Sequence, residues 1–194
     1  MGVATLGDSI TAGTPGWDPD PRVREAQGAS DPESQYQHWA ALANPGLEFR
    51  NHGVNGERTD QIGERLPLAA HDAQVIVLQG GINDIAQGRA VEDAATNMGA
   101  MVASALGLGL AVVVAELLPW NNGWPDADPR IVALNGLYRA LAATHGVPLL
   151  GFYATLADPS GPGRMREDWT SDGDHPSVEG YRRLGELAFR LPVD

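Results

Sequence analysis

Two short runs constrain this chain more than anything else in it. "AQVIVL" (residues 73–78) and "AVVVAEL" (residues 111–117) are apolar at nearly every position and rich in valine and isoleucine. A strand with one wet face alternates in polarity. A strand that is apolar throughout is covered on both faces, as in a parallel sheet wrapped by helices. The rest of the pattern agrees. Strands are predicted over residues 3–6, 47–50, 73–78, 111–117 and 147–152, and helices over 34–42, 59–68, 91–106, 129–144 and 177–191. Such alternation builds βαβ units. The expectation is one α/β domain over residues 1–194 with five parallel strands. Its ligands should bind beyond the carboxyl ends of the strands.

Two connections are long, "TPGWDPDPRVREAQGASDP" (14–32) and "PWNNGWPDADP" (119–129). Both follow strands, so both should lie over the ligand-binding edge, where long loops tend to be functional. Trp120 and Trp124 are expected to face substrate there as an aromatic wall, with Trp17 and Trp169 as weaker candidates. Trp39 belongs to the core by its helical position.

What the chain lacks narrows its chemistry. It has no cysteine, which excludes disulfides, thiolate nucleophiles and thiolate metal sites. All 13 basic residues are arginine, so no lysine can form a Schiff base. A net charge of -12 repels nucleic-acid backbones and anionic membranes, leaving a small molecule as the expected partner. No apolar run is long enough to cross a bilayer. The first strand begins within a few residues, with no leader before it. This points to the cytoplasm, or to secretion if a leader has been removed.

Four stretches fall at strand ends or before the last helix: "GDSIT" (7–11), "NHGVNGERT" (51–59), "GGINDI" (80–85) and "SDGDHPS" (171–177). Asp172 and His175 are three apart, so a turn can set the carboxylate against one imidazole nitrogen while the other faces outward. That is the orienting half of a Ser-His-Asp triad. Ser9, at the tip of the first strand, is the matching nucleophile, and its backbone N–H is an oxyanion donor. The Gly56 N–H and the Asn83 side-chain amide supply two more donors. His52 lies within the second stretch and is expected to line the cleft. Asp8 and Asp84 are read as structural acceptors of loop amides. Asp174 is expected to face solvent or cap the last helix. His38, His71 and His145 are read as surface or capping residues. The acid-rich loops read as solvated charge, and no metal ligand set is expected.

Gly-Asp-Ser-Ile near the start, then Asn-x-x-x-x-Gly, Gly-x-Asn-Asp and Asp-x-x-His-Pro in that order resemble the SGNH hydrolases, the GDSL esterase and lipase family. The resemblance runs from Gly7 to Pro176. It implies a flavodoxin-like three-layer α/β/α sandwich and ester hydrolysis without metal or cofactor. It also implies Ser9 as nucleophile, Asp172 and His175 completing the triad, and Gly56 and Asn83 joining Ser9 in the oxyanion hole. Gly53 is the alternative to Gly56. The family's glycine is followed within a few residues by Thr or Ser, here Thr59, which favours Gly56. Asn55 stands where the family has a small residue. The polar, tryptophan-bearing loops suggest a short acyl ester, such as an acetyl group on a sugar. An acyltransferase would use the same triad. A phosphate- or flavin-binding domain built on "SITAGT" is the rival of another class.

Overall fold

A computed structural model of the chain describes residues 1–13, 22 and 31–191. Trp17 and most of the first long loop lie outside these residues. Among the described residues, β1 (Gly2–Gly7), β2 (Glu48–Gly53), β3 (Val75–Leu78), β4 (Ala111–Ala115) and β5 (Leu149–Leu150) form one parallel sheet in the order β2-β1-β3-β4-β5. The register places Leu6 beside both His52 and Leu78, and Leu78 beside Val114. The ends of β1, β2 and β3, which carry the first three stretches, therefore meet along one edge.

Alternate residues of the central strands feed two cores. Ala4, Leu6, Ile76, Leu78, Val112 and Val114 pack under the helices Thr59–Glu64, Leu66–Ala70, Val91–Gly107 and Asp128–His145. Val3, Val75, Val77, Val113 and Ala115 pack under Tyr36–Ala43, Phe152–Leu156 and Val178–Arg183. A strand that serves two cores has no polar face, which is why its sequence does not alternate. The result is a three-layer α/β/α sandwich. Among the described residues, no helix is long and apolar enough to cross a membrane.

The structure departs from the sequence reading in several places. The helix predicted over 59–68 is two helices, broken at Arg65. Pro67 has no N–H to give to the preceding turn, and the Arg65 N–H bonds three residues back to Ile62 rather than four. The last helix is α-helical only over Val178–Arg183. It then widens into a π-turn, Leu184–Ala188, and leaves helical geometry at Phe189. That exit seats the buried Phe189 ring edge-on to Phe49 at 5.3 Å. β5 is only two residues long, and Phe152 opens a helix instead of ending the strand. An antiparallel hairpin, β6 (Ala157–Asp158) with β7 (Gly161–Met165), was not expected. Trp39 is only partly buried; it packs against the second core and donates from Nε1 to the Glu33 carbonyl at 2.8 Å.

Candidate active site

The sequence dictates where Ser9 stands. β1 ends at Gly7, and Asp8 then caps the short helix Ser9–Ala12 by accepting the Ile10 N–H on Oδ1 at 2.9 Å. The cap lifts Ser9 out of the sheet into a half-exposed position in the first turn, where backbone N–H groups have no helical acceptor. Ser9 Oγ lies 3.0 Å from His175 Nε2.

His175 is held from its other side. Its Nδ1 is 2.8 Å from Asp172 Oδ2, while Asp172 Oδ1 accepts the backbone N–H groups of His175 and Asp174. Partial burial pushes the Asp172 carboxyl upward. The hydrogen bonds from the His175 ring and the two amides outweigh it and hold the group below the usual carboxylate range. The turn is tied by Thr170 Oγ1 and the Ser171 N–H, which both donate to the His175 carbonyl.

The second long loop braces this turn. The Asn121 N–H donates to the Gly173 carbonyl at 3.0 Å, and Asn122 Nδ2 donates to the Asp172 carbonyl at 2.9 Å. Asp174 does not face solvent freely, nor does it cap the last helix, which Ser177 does. Asp174 Oδ1 accepts from Trp120 Nε1 at 2.5 Å and from Asn122 Nδ2 at 2.7 Å. Trp120 is half-buried and packs against the first core, with its Nε1 bonded to the residue that precedes His175. Trp124 is 45% exposed, with the Arg164 guanidinium 5.6 Å from its ring centroid. Trp169 lies under Arg183 and Arg166, at 4.0 and 5.1 Å.

Beyond the end of β3, Asn83 sits in the helix Ile82–Ala86 and donates from Nδ2 to the Glu57 carbonyl at 2.9 Å. The next residue, buried Asp84, accepts both the N–H and the hydroxyl of Thr59, which locks this helix to the loop holding Gly56. Gly56 is exposed with φ +78, and nothing lies within 4 Å of where a Cβ would be. Gly53 is different. It ends β2, its N–H already donates to Asn51 Oδ1, and a Cβ there would fall 2.1 Å from the Ala12 nitrogen. Gly53 is a close-packing glycine; of the two, Gly56 is the one on the open loop.

His52 lies under Arg65. Its carbonyl accepts from Arg65, and burial, then the Arg65 and Arg50 charges, lower the pKa of its ring. Its Nε2 is buried without a hydrogen-bond partner among the described residues. Arg65 also donates to the Gly7 carbonyl and pairs with Glu57 at 2.5 Å, so it ties the Gly56 loop to the end of β1. Sequence reasoning missed Arg65, Asn121 and Asn122, because their partners lie far away in the chain.

Asp8 is fully buried, and its Oδ2 has no hydrogen-bond partner among the described residues. Burial pushes its carboxyl up from 3.8 to about 6. The Ile10 N–H, Gln79 and the His175 charge oppose this, while Asp84 adds to it. A raised carboxyl stabilises the fold fully below the unfolded value, and this stabilisation is lost as pH rises through about 6. Asp8→Asn should therefore gain on wild type between about pH 4 and about pH 6, reaching roughly 3 kcal/mol in urea unfolding. A difference between the two proteins that stays flat across that window would contradict this.

The GDSL-like lipase/acylhydrolase family model matches residues 5–183. No curated protein matches. Among solved structures, a member of the lipolytic protein G-D-S-L family from Veillonella parvula is 22% identical, with a TM-score of 0.75 over 95% of this chain and 94% of its own. A lipase/acylhydrolase from Enterococcus faecalis is 24% identical, with a TM-score of 0.73 over 96% and 92%. An acetylxylan esterase from Geobacillus stearothermophilus is 16% identical, with a TM-score of 0.73 over 97% and 94%. These likenesses agree on the fold. The family match covers nearly the whole chain, so the chain belongs to the GDSL-like lipase/acylhydrolase family and is a carboxylic ester hydrolase.

Proposed function

We propose that residues 1–194 form one serine esterase domain that hydrolyses short-chain acyl esters, acetyl groups on carbohydrate among them, through an acyl-enzyme on Ser9. The observation that carries this reading is the unbroken line from Ser9 Oγ to His175 Nε2 at 3.0 Å and from His175 Nδ1 to Asp172 at 2.8 Å.

In this reading His175 takes the Ser9 proton as the hydroxyl oxygen attacks the ester carbonyl. Asp172 keeps the Nδ1–H tautomer and stabilises the imidazolium. The tetrahedral oxyanion is held by the N–H groups of Ser9 and Gly56 and by the side chain of Asn83. His175 then protonates the departing alcohol, and a water activated by the same imidazole releases the acid and restores Ser9. Trp120, held by Asp174 in the turn that carries His175, and the exposed Trp124 support an aromatic wall suited to a sugar ring. The acetylxylan esterase among the structural relatives carries a substrate of that class in its name.

The test is kcat/KM on p-nitrophenyl acetate, butyrate and octanoate, together with labelling by a fluorophosphonate. The expected ranking falls with chain length, and mass spectrometry should place the label on Ser9. A preference for octanoate would overturn the short-chain reading, and a label elsewhere would overturn the nucleophile.

A further inference from the structure

The turn that carries Asp172 and His175 is closed on itself. Asp172 Oδ1 takes the N–H groups of Asp174 and His175, and Thr170 Oγ1 takes that of Gly173 and donates to the His175 carbonyl. These bonds set the shape of the turn but not its place over Ser9. The Asp172 side chain is 49% exposed, so burial does not fix that place either. The loop that follows β4 does. The buried Asn135 side chain grips its root, accepting the Leu117 N–H at 2.8 Å and donating to the Leu117 carbonyl at 3.1 Å. Asn121 pairs both ends of its amide with the Met165 backbone, at 2.8 and 2.6 Å. The Trp120 ring packs on the first core, and Gly123 closes so near it that a Cβ there would fall 2.2 Å from the ring.

From this support the bonds reach into the turn. The Asn121 N–H goes to the Gly173 carbonyl and Asn122 Nδ2 to the Asp172 carbonyl. Trp120 Nε1 and Asn122 Nδ2 then converge on one atom, Asp174 Oδ1, at 2.5 and 2.7 Å. Asp174 in turn gives its own N–H to Asp172 Oδ1 and precedes His175 in the chain. We propose that Asp174 is a positioning residue: its Oδ1, pinned by Trp120 and Asn122, sets the Asp172–His175 pair at the distance from Ser9 that proton transfer needs. This rests on the Ser9–His175–Asp172 reading above. What Asp174 supplies is an acceptor, since both of these partners are N–H donors. An asparagine Oδ1 can take the same bonds, and an alanine cannot. Releasing the turn leaves every reacting group in the molecule but moves the imidazole, and a displacement of about 1 Å can cost about 10²-fold in rate.

The experiment is steady-state kinetics on p-nitrophenyl acetate, with active sites counted by titration and each variant's thermal unfolding measured. Asp174→Ala should lower kcat about thirtyfold with KM within about threefold, and fluorophosphonate labelling of Ser9 should slow with it. Asp174→Asn should restore kcat to within about threefold of wild type, because the acceptor returns without the charge. A merely structural role would lower the melting temperature and leave kcat per active site unchanged. An Asp174→Ala kcat within about twofold of wild type overturns the proposal, and so does an Asp174→Asn as slow as Asp174→Ala. Asn122→Ala approaches the same contact from an exposed residue and serves should Asp174→Ala fail to fold. Its kcat should fall about tenfold, and a value within about twofold of wild type also overturns the proposal. Asp172→Ala, run beside these, keeps the two failures apart. Full activity there strikes the triad reading and the proposal with it, whereas a large loss there with Asp174→Ala at wild-type speed strikes the proposal alone.

Discussion

Ser9→Ala should abolish ester hydrolysis while leaving the fold intact, a loss on the order of 10⁴- to 10⁶-fold in kcat. The two halves of that expectation rest on different contacts. The Ser9 side chain is half-exposed, and its Oγ hydrogen-bonds to His175. The short helix it begins is capped by Asp8 and anchored by Thr11, whose hydroxyl donates to Gln79 at 2.8 Å. Removing one hydroxyl therefore takes nothing from the cap or the core, and the change in stability should stay within about 0.5 kcal/mol. The chemistry has no substitute. The chain has no cysteine or lysine to replace the nucleophile, and His175 would be left to activate water directly. The check is kcat/KM on p-nitrophenyl acetate beside thermal unfolding of both proteins. A variant that is equally stable but retains activity within about tenfold of wild type would place the nucleophile elsewhere.

The features legible in the sequence are those whose cause is local. The two apolar runs announce strands covered on both faces because each residue of Val75–Leu78 must meet one core or the other. Ser9 can be placed because a strand end, a capping aspartate and a helix start are consecutive. Asp172 and His175 can be paired because a three-residue spacing closes in one turn. Features set by distant partners leave no such mark. Asp174 looks like a solvated loop acid until Trp120 and Asn122 arrive from more than fifty residues away. Arg65 sits mid-helix by periodicity, yet the helix breaks there and its side chain reaches Gly7, His52 and Glu57. The shortened β5 and the π-turn before Phe189 are decided by packing, which overrides a helical or extended pattern that is continuous in sequence.

Asn83→Ala separates the loop contact seen for this side chain from the oxyanion role proposed for it. Its Nδ2 donates one N–H to the Glu57 carbonyl, which holds the Gly56 loop, and leaves the second for a ligand oxyanion. Losing an oxyanion donor should cost about 10²–10³ in kcat, or roughly 3–4 kcal/mol of barrier, with KM little changed because the interaction forms in the transition state. Losing the loop contact should cost about 1 kcal/mol of stability at most, since Asp84 still grips Thr59 and Arg65 still grips Glu57. The two effects can be told apart. If Asn83 only positioned the loop, Asn83→Ala would lower the melting temperature and raise KM while kcat fell little. A fall in kcat of hundreds-fold with KM and melting temperature nearly unchanged assigns the amide to the oxyanion. Both effects at full size would mean that the Gly56 donor is lost with it, because Glu57 is the next residue in the chain and moves the Gly56 N–H when it is released.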